Sequence, residues 1–136
     1  MIMDNGEIMD NDSIKEFVKK TLGCTCPEQV FQNIRCESEI GVGEDIVLDY
    51  EINIGNKLLI FVTSVDNADS LTQMIPRLVG AGTSKRDEHG FNRFRLVLLS
   101  KTPSSIADEV SAVFNSLGSD EKVHLHVIGE HEFPAG

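Results

Sequence analysis

The chain has 136 residues, of which 40% are apolar and 25% charged, and its formal charge is −10. That length allows one domain with a sizeable core, and no apolar run approaches the length of a membrane span. The acidic balance repels phosphate backbones. The basic groups form only small scattered sets, Lys15/Lys19/Lys20, Lys85/Arg86 and Arg93/Arg95, so neither nucleic acid nor membrane is expected as a partner.

Residues 1–12 hold Asp4, Glu7, Asp10 and Asp12 and no Lys or Arg. Without apolar periodicity they read as a disordered acidic tail ahead of a single α/β domain over 13–130. An acidic start is unlike the basic start of a secretory signal. Three cysteines form an odd count and are not spaced as a disulfide framework, so a reducing, cytoplasmic setting is expected.

Ser13 and Glu16 have capping-box spacing, and Ile14, Phe17, Val18 and Leu22 recur at helical intervals. A helix over 13–22 follows, closed by Gly23. The run Leu22-Gly23-Cys24-Thr25-Cys26-Pro27-Glu28 then turns into a second, short helical turn with Pro27 at its first position.

Residues 33–40 alternate, with Ile34, Cys36, Ser38 and Ile40 on one face and Arg35, Glu37 and Glu39 on the other. Gly41-Val42-Gly43 breaks the run. Residues 45–54 alternate again, with Ile46, Leu48, Tyr50, Ile52 and Ile54 inward and Asp49, Glu51 and Asn53 outward. Gly55-Asn56 is a hairpin signal, and 57–64 is apolar enough for a strand covered on both faces. Asp66 or Asn67 can cap a helix bearing Leu71, Met74, Ile75, Leu78 and Val79, with Pro76 inside it. Gly80-Ala81-Gly82 is expected to end that helix, leaving 83–90 as an exposed, mobile loop. A strand over 92–99, a helix from Pro103 ended by Gly118, and a strand over 122–128 complete the domain. Residues 131–136 read as a tail.

The order helix, three-stranded meander, then βαβαβ predicts a mixed five-stranded sheet with helices packed on it. The meander should be antiparallel and the last three strands parallel. Both a ferredoxin-like split and a three-layer sandwich fit that order. One face of the meander needs water, since Arg35, Glu37, Glu39, Asp49 and Glu51 lie there.

The chemistry-bearing residues are few. If Cys26 caps the Pro27 helix, its sulfur faces unpaired N–H groups and the positive end of the dipole, which favours thiolate. With Cys24, Cys36 and one histidine it could bind a thiolate-loving metal such as zinc. The opposing reading is that these cysteines are small apolar plugs, with Cys36 a core thiol and no cofactor at all. His124 and His126 share one side of a strand, where two imidazoles can chelate a metal or bind an anion. At the C-terminal ends of the parallel strands stand Ser64, Asp66 and Asn67, then Ser100 and Lys101, then Glu130 and His131. Such ends bind ligands in open α/β sheets, and the same residue types also serve as caps. The order α-β-β-β-α-β is similar to a nuclease-like core, but Lys57 falls across the hairpin from Asp49 and Glu51 where a Glu-x-Lys would be needed. No phosphate loop, dinucleotide fingerprint, nucleophile elbow or His-Glu-x-x-His motif is present. The expectation is therefore a small accessory or regulatory domain acting by contact with a protein partner or a second copy. A thiol-based metal or redox protein centred on Cys24 and Cys26 is the alternative.

Overall fold

The structure, a computed structural model, describes residues 11–21, 31–42, 46–65, 68–118 and 123–130. Helix α1 covers Asn11–Glu16 and continues as a wider π-helical turn over Phe17–Thr21. Strands β1 (Ile34–Val42), β2 (Ile46–Ile54) and β3 (Leu58–Ser64) follow. Then come α2 (Ala68–His89), β4 (Arg93–Ser100), α3 (Pro103–Ser116) and β5 (Val123–Gly129). The strands form one five-stranded sheet in the order β1-β2-β3-β4-β5. β1, β2 and β3 are antiparallel neighbours, and β3, β4 and β5 are parallel. The mixed sheet is the expected one, and its sequential order excludes the ferredoxin-like split.

Period-two patterning makes two cores. Ile52 and Ile54 of β2, Leu58, Ile60 and Val62 of β3, and Val97, Leu99 and Ile128 pack with Ile14, Phe17 and Val18 of α1 and with Phe31. The alternate residues Leu59, Phe61, Phe94, Leu96 and Leu98 pack with Ile75, Leu78 and Val79 of α2 and with Ile106 and Val110 of α3. The fold is thus a three-layer α/β/α sandwich, with α1 on one face and α2 and α3 on the other. The first six residues of β3 are all buried, as a strand covered on both faces requires. Lys15 and Lys19 of α1 close over the Phe31 ring, at 5.8 and 5.4 Å from its centroid.

Gly55 and Asn56 have φ of 57° and 59°, so the hairpin is of the primed type that their sequence called for. Glu39 also has a positive φ, 53°. It lies between the pairs Ser38–Tyr50 and Ile40–Leu48, and there the inward face of β2 shifts by one residue. Leu48 joins the α2-side core, while Tyr50, Ile52 and Ile54 face α1.

The principal correction concerns α2. It does not end at Gly80-Ala81-Gly82 but runs 22 residues through Pro76 and both glycines to His89, so 83–89 is helix and not loop. Gly82 faces the sheet, and a Cβ there would overlap the Phe94 ring. It is a glycine of close approach, not of termination. The stop comes at Gly90, φ 74°, where the N–H of Phe91 bonds the Arg86 carbonyl at 2.9 Å in the Schellman pattern. Pro103 begins α3 and Gly118, φ 63°, follows its last turn, both as expected. No described helix is long and apolar enough to cross a membrane.

Candidate functional site

The extension of α2 builds a cleft. α2 covers β3 and β4 and leaves the same face of β1 and β2 open, which is the polar face of the meander. Lys85 and His89, from the last turns of α2, lean over Glu37, Glu51 and Asn53. Arg35, Asn56, Leu59 and Phe91 complete a cleft of about 290 Å³. Lys85 Nζ donates to both carboxylate oxygens of Glu51 at 2.7 Å. The Glu51 side chain is only 11% exposed and that of Lys85 36%. Glu37 stands directly opposite Glu51 in the β1–β2 register. Like charges so placed repel, and the Lys85 ammonium offsets that repulsion. At the hairpin end, Asn53 Oδ1 accepts the Asn56 N–H and Asn53 Nδ2 donates to Asn56 Oδ1, both at 2.8 Å. Charges of both signs and fixed amides suit recognition of a polar chain.

Around the edge of β1, with Cys36, Ser38 and Tyr50 on the opposite face, lies a shallower groove of about 410 Å³, lined also by Glu37 and Ile40. Burial, and then the Glu37 carboxylate, push the Cys36 thiol up to about 11. It is protonated at neutral pH, whereas metal ligation and thiol exchange need the thiolate. Between cleft and groove runs β1 itself, nine residues long and hydrogen-bonded on one side only, to β2, among the described residues.

The residues singled out in the sequence do not gather at one place. Cys24, Cys26, Asp66, Asn67 and His131 lie outside the described residues. Among the described residues, no group of three or more His, Cys, Asp or Glu side chains is placed to hold a metal ion. Lys101 is exposed just past β4, and Ser100 Oγ accepts the Thr102 N–H at 3.0 Å, a turn-capping role. Ser64 Oγ donates to Asp49 Oδ2. Asp49 and Glu51 therefore answer to different partners, Ser64 and Lys85, instead of forming a nuclease-like pair. His124 and His126 do share a face of β5, and Arg95 Nη1 lies 2.8 Å from His126 Nε2. The pairing of Lys85 with Glu51 was missed because 83–90 read as loop. Its signal was present in Ile75, Leu78, Gly82, Lys85 and His89, which recur at three- and four-residue intervals along one face of a helix.

No family model matches the chain, and neither a curated protein nor a solved structure is significantly similar to it.

Proposed function

We propose that this chain is a binding module of the cytoplasm that acts by protein contact, taking an extended segment of a partner as a sixth strand beside β1. The carrying observation is the nine-residue edge strand, paired on one side only among the described residues, with a charged cleft on one face and a half-apolar groove on the other. An edge strand offers a row of backbone N–H and C=O groups that another strand satisfies, and the flanking pockets select its side chains. Residues of the added strand on the cleft side would meet Arg35 and Glu37. Those on the other side would meet Cys36 and Tyr50. The partner segment should thus carry charges of both signs on one face and an apolar residue on the other. Arg35, Glu37 and Glu39 also discourage indiscriminate pairing, as charges on edge strands do.

A photo-crosslinking amino acid placed at Ser38, exposed on β1, tests this in cells, with the same group at Ser111, exposed on α3, as reference. The reading expects one discrete adduct from Ser38, weakened by Ile40→Glu in the groove. Equal labelling from Ser38 and Ser111 would count against it.

A further inference from the structure

Against the acidic balance of the chain, four basic side chains gather on one face of β4 and β5. Val97, Leu99 and Ile128 belong to the α1-side core, so Arg93 and Arg95 on β4 and His124 and His126 on β5, at even spacing from them, share that face. The parallel register sets Arg95 beside His124 and Val97 beside His126. On the other flank, β3 sets Leu58 beside Arg93 and Ile60 beside Arg95, both buried. Arg95 is 8% exposed, whereas Arg93 is open to solvent.

A guanidinium only donates, so at 2.8 Å from Arg95 Nη1 the Nε2 of His126 is the acceptor, and the ring carries its proton on Nδ1. His124 Nε2 is buried and has no hydrogen-bond partner among the described residues. Burial, and then the charges of Arg95 and its neighbours, hold both imidazoles below their usual pKa, His126 down to about 4. Burial and Arg93 likewise lower Arg95. The cluster therefore keeps like charges together in a partly dry place.

We propose that this face of β4 and β5 is a binding site for a phosphate group, carried by inorganic phosphate or by a small phosphorylated metabolite. Arg93 is the exposed first contact and Arg95 the buried anchor. His126 holds the Arg95 fork in orientation, and His124 stands beside Arg95 on the same face. Two guanidinium forks offer more donors than the two oxygens of a carboxylate accept, and they suit the three terminal oxygens of a phosphate monoester. A bound dianion also relieves the mutual repulsion of the cluster. The site shares no residue with the β1 edge or the cleft, so it stands or falls apart from the partner-binding reading.

The test is a titration of the full chain with inorganic phosphate and, separately, glycerol 3-phosphate. Acetate and chloride at matched ionic strength serve as references. The readout is the imidazole NMR resonances. Saturable shifts at His124 and His126 but not at His89 are expected. Tighter binding of the free ion or of the ester identifies which source the site takes. Arg93→Gln, at an exposed position that should not disturb folding, should weaken the affinity roughly tenfold, the effect of losing about one charge-assisted hydrogen bond. Lys20→Gln on α1 should leave it unchanged. Equal shifts with acetate and chloride, or an affinity indifferent to Arg93→Gln, would overturn the proposal.

Discussion

Gly80 and Gly82 stand two residues apart in α2, and alanine should act on them with opposite sign. A Cβ on Gly80 meets nothing within 4 Å. There alanine removes the backbone-entropy cost of a helical glycine, a gain of roughly 0.5–1 kcal/mol. A Cβ on Gly82 would occupy space already held by the Phe94 ring. That ring is fully buried and stacks edge-on against Phe61, centroids 4.9 Å apart at 77°, so it has no open side to move into. Overpacking of this kind costs about 1–3 kcal/mol, which outweighs the same helical gain and leaves Gly82→Ala a net loss of about 1–2 kcal/mol. The two variants should differ by roughly 2 kcal/mol, and Gly80→Ala should raise the melting temperature by about 2–4 °C. Urea and thermal unfolding followed by circular dichroism measure both. In the Gly82→Ala background Phe94→Leu should cost less than it does in the native chain, because it frees the contested space. If both alanines stabilise, or neither changes anything, α2 does not pass Phe94 as a continuous helix, and the cleft that Lys85 and His89 form has no basis.

Gly55→Val should destabilise the domain by about 1 kcal/mol or more in the same unfolding assay, because a β-branched residue resists the φ of 57° that the hairpin requires. An unchanged midpoint would refute the primed turn. Cys36, its pKa pushed up to about 11, should alkylate far more slowly at neutral pH than the thiol in the unfolded chain, and faster as the pH rises; a fast reaction at neutral pH would contradict the burial of its sulfur. His126 has a folded pKa near 4, below its unfolded value of 6.5. The unfolded state therefore binds the extra proton between these values, and stability that is complete above pH 6.5 is lost as the pH falls towards 4. Discounted for the partial exposure of the ring, His126→Gln should remove on the order of 1 kcal/mol of the stability difference between pH 7 and 5, and equal pH slopes for the two proteins would argue against the burial of this imidazole.

Much of the sheet could be read from local signals. The Gly55-Asn56 turn, the alternation through Ile52 and Ile54, and the wholly apolar β3 each have a short-range cause that survives into the fold. The misreading of 83–89 has an equally physical source. Gly80 and Gly82 look like a stop in sequence, but one is merely tolerated and the other is required by Phe94, a contact between elements that no local pattern displays. The true stop, Gly90, lies eight residues later. The shift of face at Leu48 stands beside Glu39 of the partner strand and is likewise absent from the local alternation. Of the candidate chemistry, the shared face of His124 and His126 followed from strand periodicity. Arg95 beside them follows only from the β4–β5 register. The cleft was half legible: its acidic wall, Glu37 and Glu51, was expected in water, while the lysine that meets Glu51 comes from a helix not recognised as continuing.

Residue-resolved amide hydrogen exchange over 34–42 tests the edge-strand reading most directly. In the isolated chain, the β1 amides that do not bond β2 should exchange fast, in alternation with slow ones. In the complex recovered through the Ser38 adduct, those fast amides should become slow while α3 is unaffected. Slow exchange along the whole of β1 in the isolated chain, or unchanged β1 amides in the complex, would contradict the proposal that this edge receives a partner's strand.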